Sequence, residues 1–462
     1  MTPTASQTEV DYIIHGGSVV TMNASRHIIR DGAVAVKGKT IVAVGKREEI
    51  EAKHRAKKVL GGREDLVTPG FIDAHNHPIH FATKGATDDM QFQPRFKNII
   101  VPYEHALNEE DTYLNSCATF VEMIANGTTC FNNPGSLNED GVGRAAKEIG
   151  IRGVLAYEAA DKGGGLWEDL PWQDVLDKSE AVVEKWNGAA DGRLRAWFSL
   201  NNPHRVSDEL CLAVKERAAK HDVNIHGHVT MPKALAQAPG FQSPIQRYGR
   251  LGLLSPSLYL VHLVHVLPQD IELLATNQVR VVHCPGRSML GAGGVFATGT
   301  IPELMAAGVL MALGSDAGAV SRFLDMVRQM YLAATGHKDA RLDATLVGSY
   351  KAFEMCTVDA ARAMRWDDEI GSLEPGKKAD INILDTTAPE MHPNPHQNPI
   401  PNLVYSGSGA ATKTTLIDGQ IIMEDRQIKT IDVPALMKEL GKAAPQMLGR
   451  INAKVQSRWP IL

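Results

Sequence analysis

Through the middle of the chain, short apolar runs alternate with stretches that carry the 3.6-residue period of amphipathic helices. The first run, residues 66–74, is Leu-Val-Thr-Pro-Gly-Phe-Ile-Asp-Ala, entered through a Pro-Gly turn signal. Further β-type runs are read at 128–132, 151–157, 194–201, 223–228, 258–262, 279–283 and 309–314. Helical patterns fall at 109–126, 140–149, 173–186, 207–221, 268–275 and 301–307, two of them stopping at Gly127 and Gly150. Eight alternations predict a parallel α/β domain, a (β/α)8 TIM barrel, over residues 67–365.

The two ends read differently. Short alternating runs at 12–14, 18–22, 33–36 and 40–44 are punctuated by Gly16-Gly17, Asp31-Gly32 and Gly38-Lys39. A second β-rich stretch returns at 380–384, 413–417 and 421–424, with Asp418-Gly419 as a hairpin signal. The two ends are therefore expected to pair into one β-sandwich outside the barrel, built from residues 1–66 and 366–462, the latter carrying a terminal helix. The basic run 54–58 reads as a solvated face.

Composition narrows the function classes. Hydrophobic residues at 44%, charged residues at 22% and a formal net charge of -5 describe a globular chain with no electrostatic pull towards nucleic acid or an anionic membrane. Five cysteines, odd in number and without CxxC spacing, argue against a disulfide framework and for a reducing compartment. The first ten residues hold no apolar h-region, so a cytoplasmic location is expected. Gly291-Ala292-Gly293-Gly294 does not open a helix straight after a strand, which speaks against a dinucleotide site. A small-molecule substrate and a homo-oligomer, dimer or tetramer, are the partners expected.

Barrels of this type place their chemistry at the C-terminal ends of the strands. Those ends carry His75 and His77 on strand 1, His226 and His228 on strand 5, His262 on strand 6, His283 on strand 7 and Asp316 on strand 8. Residues two apart in an extended strand point to the same side, so His75 and His77 can face one metal ion. His228 reads as a further ligand, and Asp316 as a ligand rather than a helix N-cap. His226, His265 and His283 read as core or supporting histidines. His80 and His204 lie on rim loops, where they touch substrate or solvent.

The chain resembles the amidohydrolase superfamily, in its cytosine-deaminase-like branch of guanine and methylthioadenosine deaminases and triazine hydrolases. The matching pieces are the stretch from Pro69 to His77, the stretch from Pro102 through Glu122 to Thr129, Ser207-Asp208-Glu209-Leu210 and His226-Gly227-His228. They continue with His262-Leu263-Val264-His265, His283-Cys284-Pro285, Gly314-Ser315-Asp316 and the stretch from Gly371 to Asp380. The resemblance implies His75, His77, His228 and Asp316 as metal ligands, Asp316 and His262 as catalytic residues, and a composite β-sandwich. Met231, His80, His204, His283 and His265 are then expected to line the substrate.

Two departures shape the expected chemistry. Family deaminases carry Glu three residues after the strand 5 ligand, where this chain has Met231, which cannot move a proton. The Asn that follows the strand 7 motif is also absent, the chain reading Pro285-Gly286-Arg287-Ser288-Met289. Strand 4 ends Ser199-Leu200-Asn201-Asn202 without the lysine that bridges two metals in binuclear relatives, so a mononuclear site is expected. One divalent ion is expected per chain: Zn2+ fits three imidazoles and a carboxylate, and Fe2+, Co2+ and Mn2+ are compatible with the same donors. Without the second carboxylate, the expected reaction is acyl C-N or C-S cleavage in a small neutral amide, urea, carbamate or thiocarbamate, such as a phenylurea or thiocarbamate herbicide. The alternative is an aromatic aminohydrolase or chlorohydrolase acting on a nucleobase, purine nucleoside or triazine, with His226 or His80 in place of the missing Glu.

Overall fold

The computed structural model describes residues 7–230, 242–455, 457 and 459–461. Four strands come first: β1 (Thr8–Val20), β2 (Ile28–Lys37), β3 (Thr40–Lys46) and β4 (His54–Pro69). The barrel strands follow as β5 (Phe71–Asp73), β6 (Thr128–Asn132), β7 (Arg152–Leu155), β8 (Leu194–Ala196), β9 (Phe198–Leu200), β10 (Ile225–Val229), β11 (Leu258–His262), β12 (Arg280–His283) and β13 (Met311–Leu313). The chain ends with β14 (Ile381–Asp385), β15 (Thr412–Ile417), β16 (Gln420–Glu424), β17 (Gln427–Ile428) and the helix Val433–Gly449.

The barrel strands run parallel in two arcs, β5 to β8 and β9 to β13. β8 and β9 are one strand interrupted at Trp197, which donates to Leu155 O at 2.9 Å while Phe198 donates to Asn224 O at 3.3 Å, so the arcs are continuous there. At the opposite seam Ala74 donates to Leu313 O at 3.0 Å and Asp316 to His75 O at 2.8 Å. Eight strands thus close into the expected (β/α)8 barrel. Strands covered on both faces need apolar side chains throughout, and Leu258, Tyr259, Leu260 and Val261 of β11 are all fully buried. Helix starts follow local chemistry: Asn108 and Asp111 form a capping box before Glu109–Ala125, and the Ser207 side chain accepts from Leu210 N at the start of Asp208–His221.

The run 66–74 is not one strand. Its first half ends β4 in the outer sheet and its second half is β5 of the barrel, with the switch at Gly70. A Cβ on Gly70 would lie 2.1 Å from Thr129 Oγ1, so only glycine lets the two sheets approach so closely. Gly16 and Gly17, expected as a turn, instead lie inside β1 at a register shift. There a Cβ on Gly17 would meet Arg63 O at 2.1 Å, so the residue serves close approach rather than chain reversal.

The two chain ends share one eight-stranded sheet in the order β17-β16-β15-β14-β4-β1-β2-β3. A bridge from Thr40 to Lys378, with Ile41 donating to Lys377 O at 2.9 Å, brings β3 back over the segment before β14. The sheet so folds into two layers around Ile14, Val34, Val36, Val67, Ile381, Ile383 and Leu416, the composite sandwich expected. Arg152 of β7 fixes it to the barrel, donating to both oxygens of Asp380 at 2.8 and 3.1 Å and to Asp418 at 3.4 Å, all three residues buried. Among the described residues, no helix is long and apolar enough to cross a membrane.

Candidate functional site

The C-terminal ends of β5, β10, β11 and β13 deliver a compact group of histidines and one carboxylate. His77 Nε2 and His228 Nε2 face each other at 3.3 Å. His228 Nδ1 donates to Asn201 O at 2.6 Å, which fixes the tautomer and leaves a lone pair on Nε2. Two nitrogens about 2.0 to 2.1 Å from a tetrahedral ion stand about 3.3 Å apart, so the observed spacing is the edge of a zinc-sized tetrahedron. His75 places Nδ1 3.3 Å from His226 Nε2, and its other nitrogen is buried without a hydrogen-bond partner, 3.8 Å from Asp316 Oδ1. His77 Nε2 stands 3.9 Å from that same oxygen. The ligand atoms of His75, His77 and His228 thus lie close enough together to hold one metal ion, with the Asp316 carboxylate 3.8 and 3.9 Å from the first two.

Burial sets the protonation states. His75 and His77 are held well below the ordinary histidine range by desolvation and by each other's neighbours, and His228 falls to about 4 by burial. Neutral imidazole is the form that coordinates. Asp316 is pushed upward by burial, against the pull of Arg287, whose Nε is 3.5 Å from Asp316 Oδ2. His262 Nε2 lies 3.7 Å from that same oxygen. His262 and Asp316 both hold positive φ, 79° and 69°, a region non-glycine residues seldom occupy. Strain of this kind persists only where surrounding structure enforces it, and here it turns both side chains onto one point.

The other residues singled out in the sequence are spread more widely. His226 is fully buried behind His75 and packs on it, ring centroids 5.3 Å apart. His80 is buried against His77, centroids 5.8 Å apart. His283 turns to His337 and Phe296, and His265 Nδ1 bonds Thr298 O at 3.2 Å. His204 is exposed on the loop after β9. Met231 lies outside the described residues.

Sequence reasoning missed two carboxyl groups, Glu104, which is buried, and Glu158, which is half-buried. Glu104, in the short helix Val101–Ala106, lies 2.8 Å from His80 Nε2, and its carboxyl is pushed up to about 8 by burial, with Arg205 opposing and the Asp316 charge adding. Glu158 accepts from Asn201 Nδ2 and is raised well above the usual carboxylate range by burial and by Glu104. Neither lies in a periodic pattern, since Glu104 sits in a helix of six residues and Glu158 on the loop after β7.

Residues 66–422 match the model of the Amidohydrolase family, and residues 32–56 that of an imidazolonepropionase-like composite domain of bacteria. The chain is 31% identical over 441 residues to a 5-methylthioadenosine/S-adenosylhomocysteine deaminase of Pelotomaculum thermopropionicum, covering 95% of this chain and 99% of the relative. It is 30% identical to a 5'-deoxyadenosine deaminase of Methanosarcina mazei, covering 96% of this chain and 100% of the relative. An adenosine deaminase from Xanthomonas campestris with bound zinc superposes with a TM-score of 0.87 at 26% identity over 96% of this chain and 99% of that one. A mutant atrazine chlorohydrolase from Arthrobacter aurescens, complexed with zinc and atraton, shares the fold with a TM-score of 0.83 at 20% identity over 94% of this chain and 100% of that one.

These relatives overturn the expectation of amide, urea, carbamate or thiocarbamate cleavage, phenylurea and thiocarbamate herbicides included, because the two relatives that reach 30 and 31% identity over nearly the whole chain are both deaminases. The expectation inferred a missing acid from Met231 alone, whereas Glu104 and Glu158 supply carboxyl groups of raised proton affinity from elsewhere in the chain. The aminohydrolase alternative is the better supported reading. With a family model spanning most of its length and a histidine and carboxylate centre suited to a divalent ion, the chain belongs to the Amidohydrolase family as a metal-dependent hydrolase acting on carbon-nitrogen bonds.

Proposed function

We propose that this protein is a zinc-dependent aminohydrolase that removes the exocyclic amino group of an adenine nucleoside and releases ammonia. The observation that carries this reading is the end-to-end likeness to the 5-methylthioadenosine/S-adenosylhomocysteine and 5'-deoxyadenosine deaminases. His75, His77, His228 and Asp316 would hold one ion, which the 3.3 Å separation of His77 Nε2 from His228 Nε2 and the unpartnered His75 nitrogen both support. When bound there, zinc acidifies a water molecule so that hydroxide is available near neutral pH.

The chain's own groups then divide the proton work. Asp316 accepts the water's proton and returns it to the leaving nitrogen, so that the ring carbon exchanges its bond to nitrogen for one to oxygen. His262, with Nε2 3.7 Å from Asp316 Oδ2, orients the attacking oxygen. Addition to an aromatic ring also requires a proton on the ring nitrogen. Glu104 holds such a proton at neutral pH, because burial lifts its carboxyl to about 8 while His80 beside it falls to about 4. The ring proton therefore comes from the Glu104 and His80 pair rather than from residue 231, and the proton left on the attacking oxygen returns to Glu104 as the carbon-nitrogen bond breaks, which restores the acid.

Purified zinc-loaded protein should release ammonia from at least one of adenosine, 5'-deoxyadenosine, 5'-methylthioadenosine and S-adenosylhomocysteine, with kcat/KM of about 10⁴ M⁻¹s⁻¹ or more. Failure on all four with zinc bound would reject the reading.

A further inference from the structure

Arg95 is only 1% exposed, and both its terminal nitrogens are buried without a hydrogen-bond partner. A guanidinium carries five N-H donors and no acceptor, so a native chain seldom buries it without an anion to receive them. Arg287 lies nearby, 8% exposed, with its Cζ 5.2 Å from the Phe92 ring centroid. Gly291 marks where they meet: a Cβ there would lie 2.7 Å from Arg95 Nη2 and 3.0 Å from Arg287 O. The glycine-rich turn is held by Gly291 donating to Arg287 O at 3.0 Å and Gly293 to Ser288 O at 2.7 Å. Its first glycine, Gly291, lies against the Arg95 guanidinium.

Charge on the two arginines is poorly balanced. Burial lowers the proton affinity of Arg95, and Arg287 lowers it further. Among the described residues, the carboxylate set against the pair is Asp316, 3.5 Å from Arg287 Nε. Asp316 is already assigned to the ion, so it cannot also neutralise two guanidinium groups.

We propose that Arg95 and Arg287 form a subsite for an oxyanion of the substrate, a phosphate or a carboxylate, beside the metal centre. Resting on the nucleoside-deaminase reading, this makes the preferred substrate an adenine nucleoside that bears an anionic group. Planar guanidinium groups receive both kinds of oxyanion through paired charge-assisted hydrogen bonds, so the source is decided by comparing the two.

The test compares zinc-loaded wild type and Arg95→Gln on adenosine, adenosine 5'-monophosphate and S-adenosylhomocysteine. Wild type is expected to prefer one anionic substrate to adenosine by about tenfold or more in kcat/KM, the effect of a charge-assisted contact. The phosphate and carboxylate arms identify which anion is recognised. In Arg95→Gln that ratio should collapse towards one, and in Arg95→Lys part of it should return. No preference in wild type, or an undiminished preference in Arg95→Gln, would overturn the subsite. If no adenine compound turns over, the nucleoside reading has failed by itself, and calorimetric titration with inorganic phosphate and with acetate decides the subsite. Saturable binding of either ion that is lost in Arg95→Gln supports it; absent binding, or binding equal in the variant, rejects it.

Discussion

Ser315 clasps Asp73 across the seam of the barrel: its N-H donates to Asp73 Oδ1 at 2.9 Å and its hydroxyl donates to Asp73 Oδ2. Each partner sits next to the candidate metal centre, Asp73 two residues before His75 and Ser315 one before Asp316. The clasp sets the distance between the first and last donors. Ser315→Ala is expected to weaken zinc affinity by about 10- to 100-fold through lost orientation. It should also lower stability by about 1 to 3 kcal/mol, since a fully buried carboxyl loses a partner. Competition with a zinc chelator measures the first effect, and an unchanged affinity would show that the clasp does not orient the donors.

Metal content checks the donor set itself. One tightly held equivalent per chain is expected, removed by a strong chelator together with activity and restored by zinc. His228→Ala should lose most of that equivalent, because His228 Nε2 is the nitrogen paired at 3.3 Å with His77 Nε2. Two equivalents, or activity that survives the loss of metal, would contradict a mononuclear centre.

The placement of His75, His77, His228 and Asp316 at one rim was legible because strand ends can be read from apolar runs, and a barrel brings those ends together. Gly70 shows the limit of that reading. The run 66–74 has uniform apolar character, and only the contact with Thr129 reveals that two sheets divide it. Glu104 and Arg95 were invisible for a different reason. Both lie in the long excursion between β5 and β6, where position depends on tertiary packing rather than on any local period. Reading Met231 as the loss of an acid treated one strand as the whole supply of protons, which a closed barrel rim does not require.

The union of barrel and sandwich makes a stability prediction. Arg152 is fully buried between Asp380 and Asp418. Arg152→Met would leave both carboxylates without their cation in the interior. A loss of about 3 to 5 kcal/mol is expected in denaturant unfolding. A loss below about 1 kcal/mol would mean that water or Lys39, 3.2 Å from Asp418, replaces the guanidinium.

Asp316 and His262 should separate by the size of their effects. Asp316→Asn removes the group that takes and returns the proton, so turnover should fall by about 10²- to 10⁴-fold in zinc-loaded protein. His262→Asn keeps a hydrogen-bond donor and loses orientation, so the fall in kcat should be smaller. Zinc content must be measured in both, because Asp316 also belongs to the donor set. Wild-type turnover in either variant would remove that residue from the mechanism.

Glu104 offers the sharpest pH test. Its carboxyl is raised to about 8 chiefly by burial, with Arg205 opposing and Asp316 adding, while Glu158 and His80 face it from neighbouring loops. An acid that must donate is active while protonated, so kcat/KM should hold on the acid side of about 8 and fall as pH rises through that value. Glu104→Gln keeps the shape but carries no mobile proton. Its rate should drop by about 10²-fold or more, and the alkaline limb assigned to Glu104 should vanish. His80→Phe should leave the limb in place but move it, because the bond at 2.8 Å to His80 is lost. The assignment differs from a purely structural role in that a merely misfolded site would lower the rate at every pH without erasing one limb. If Glu104→Gln retains both rate and limb, the ring proton comes from another group, and Glu158 is the next carboxyl to replace.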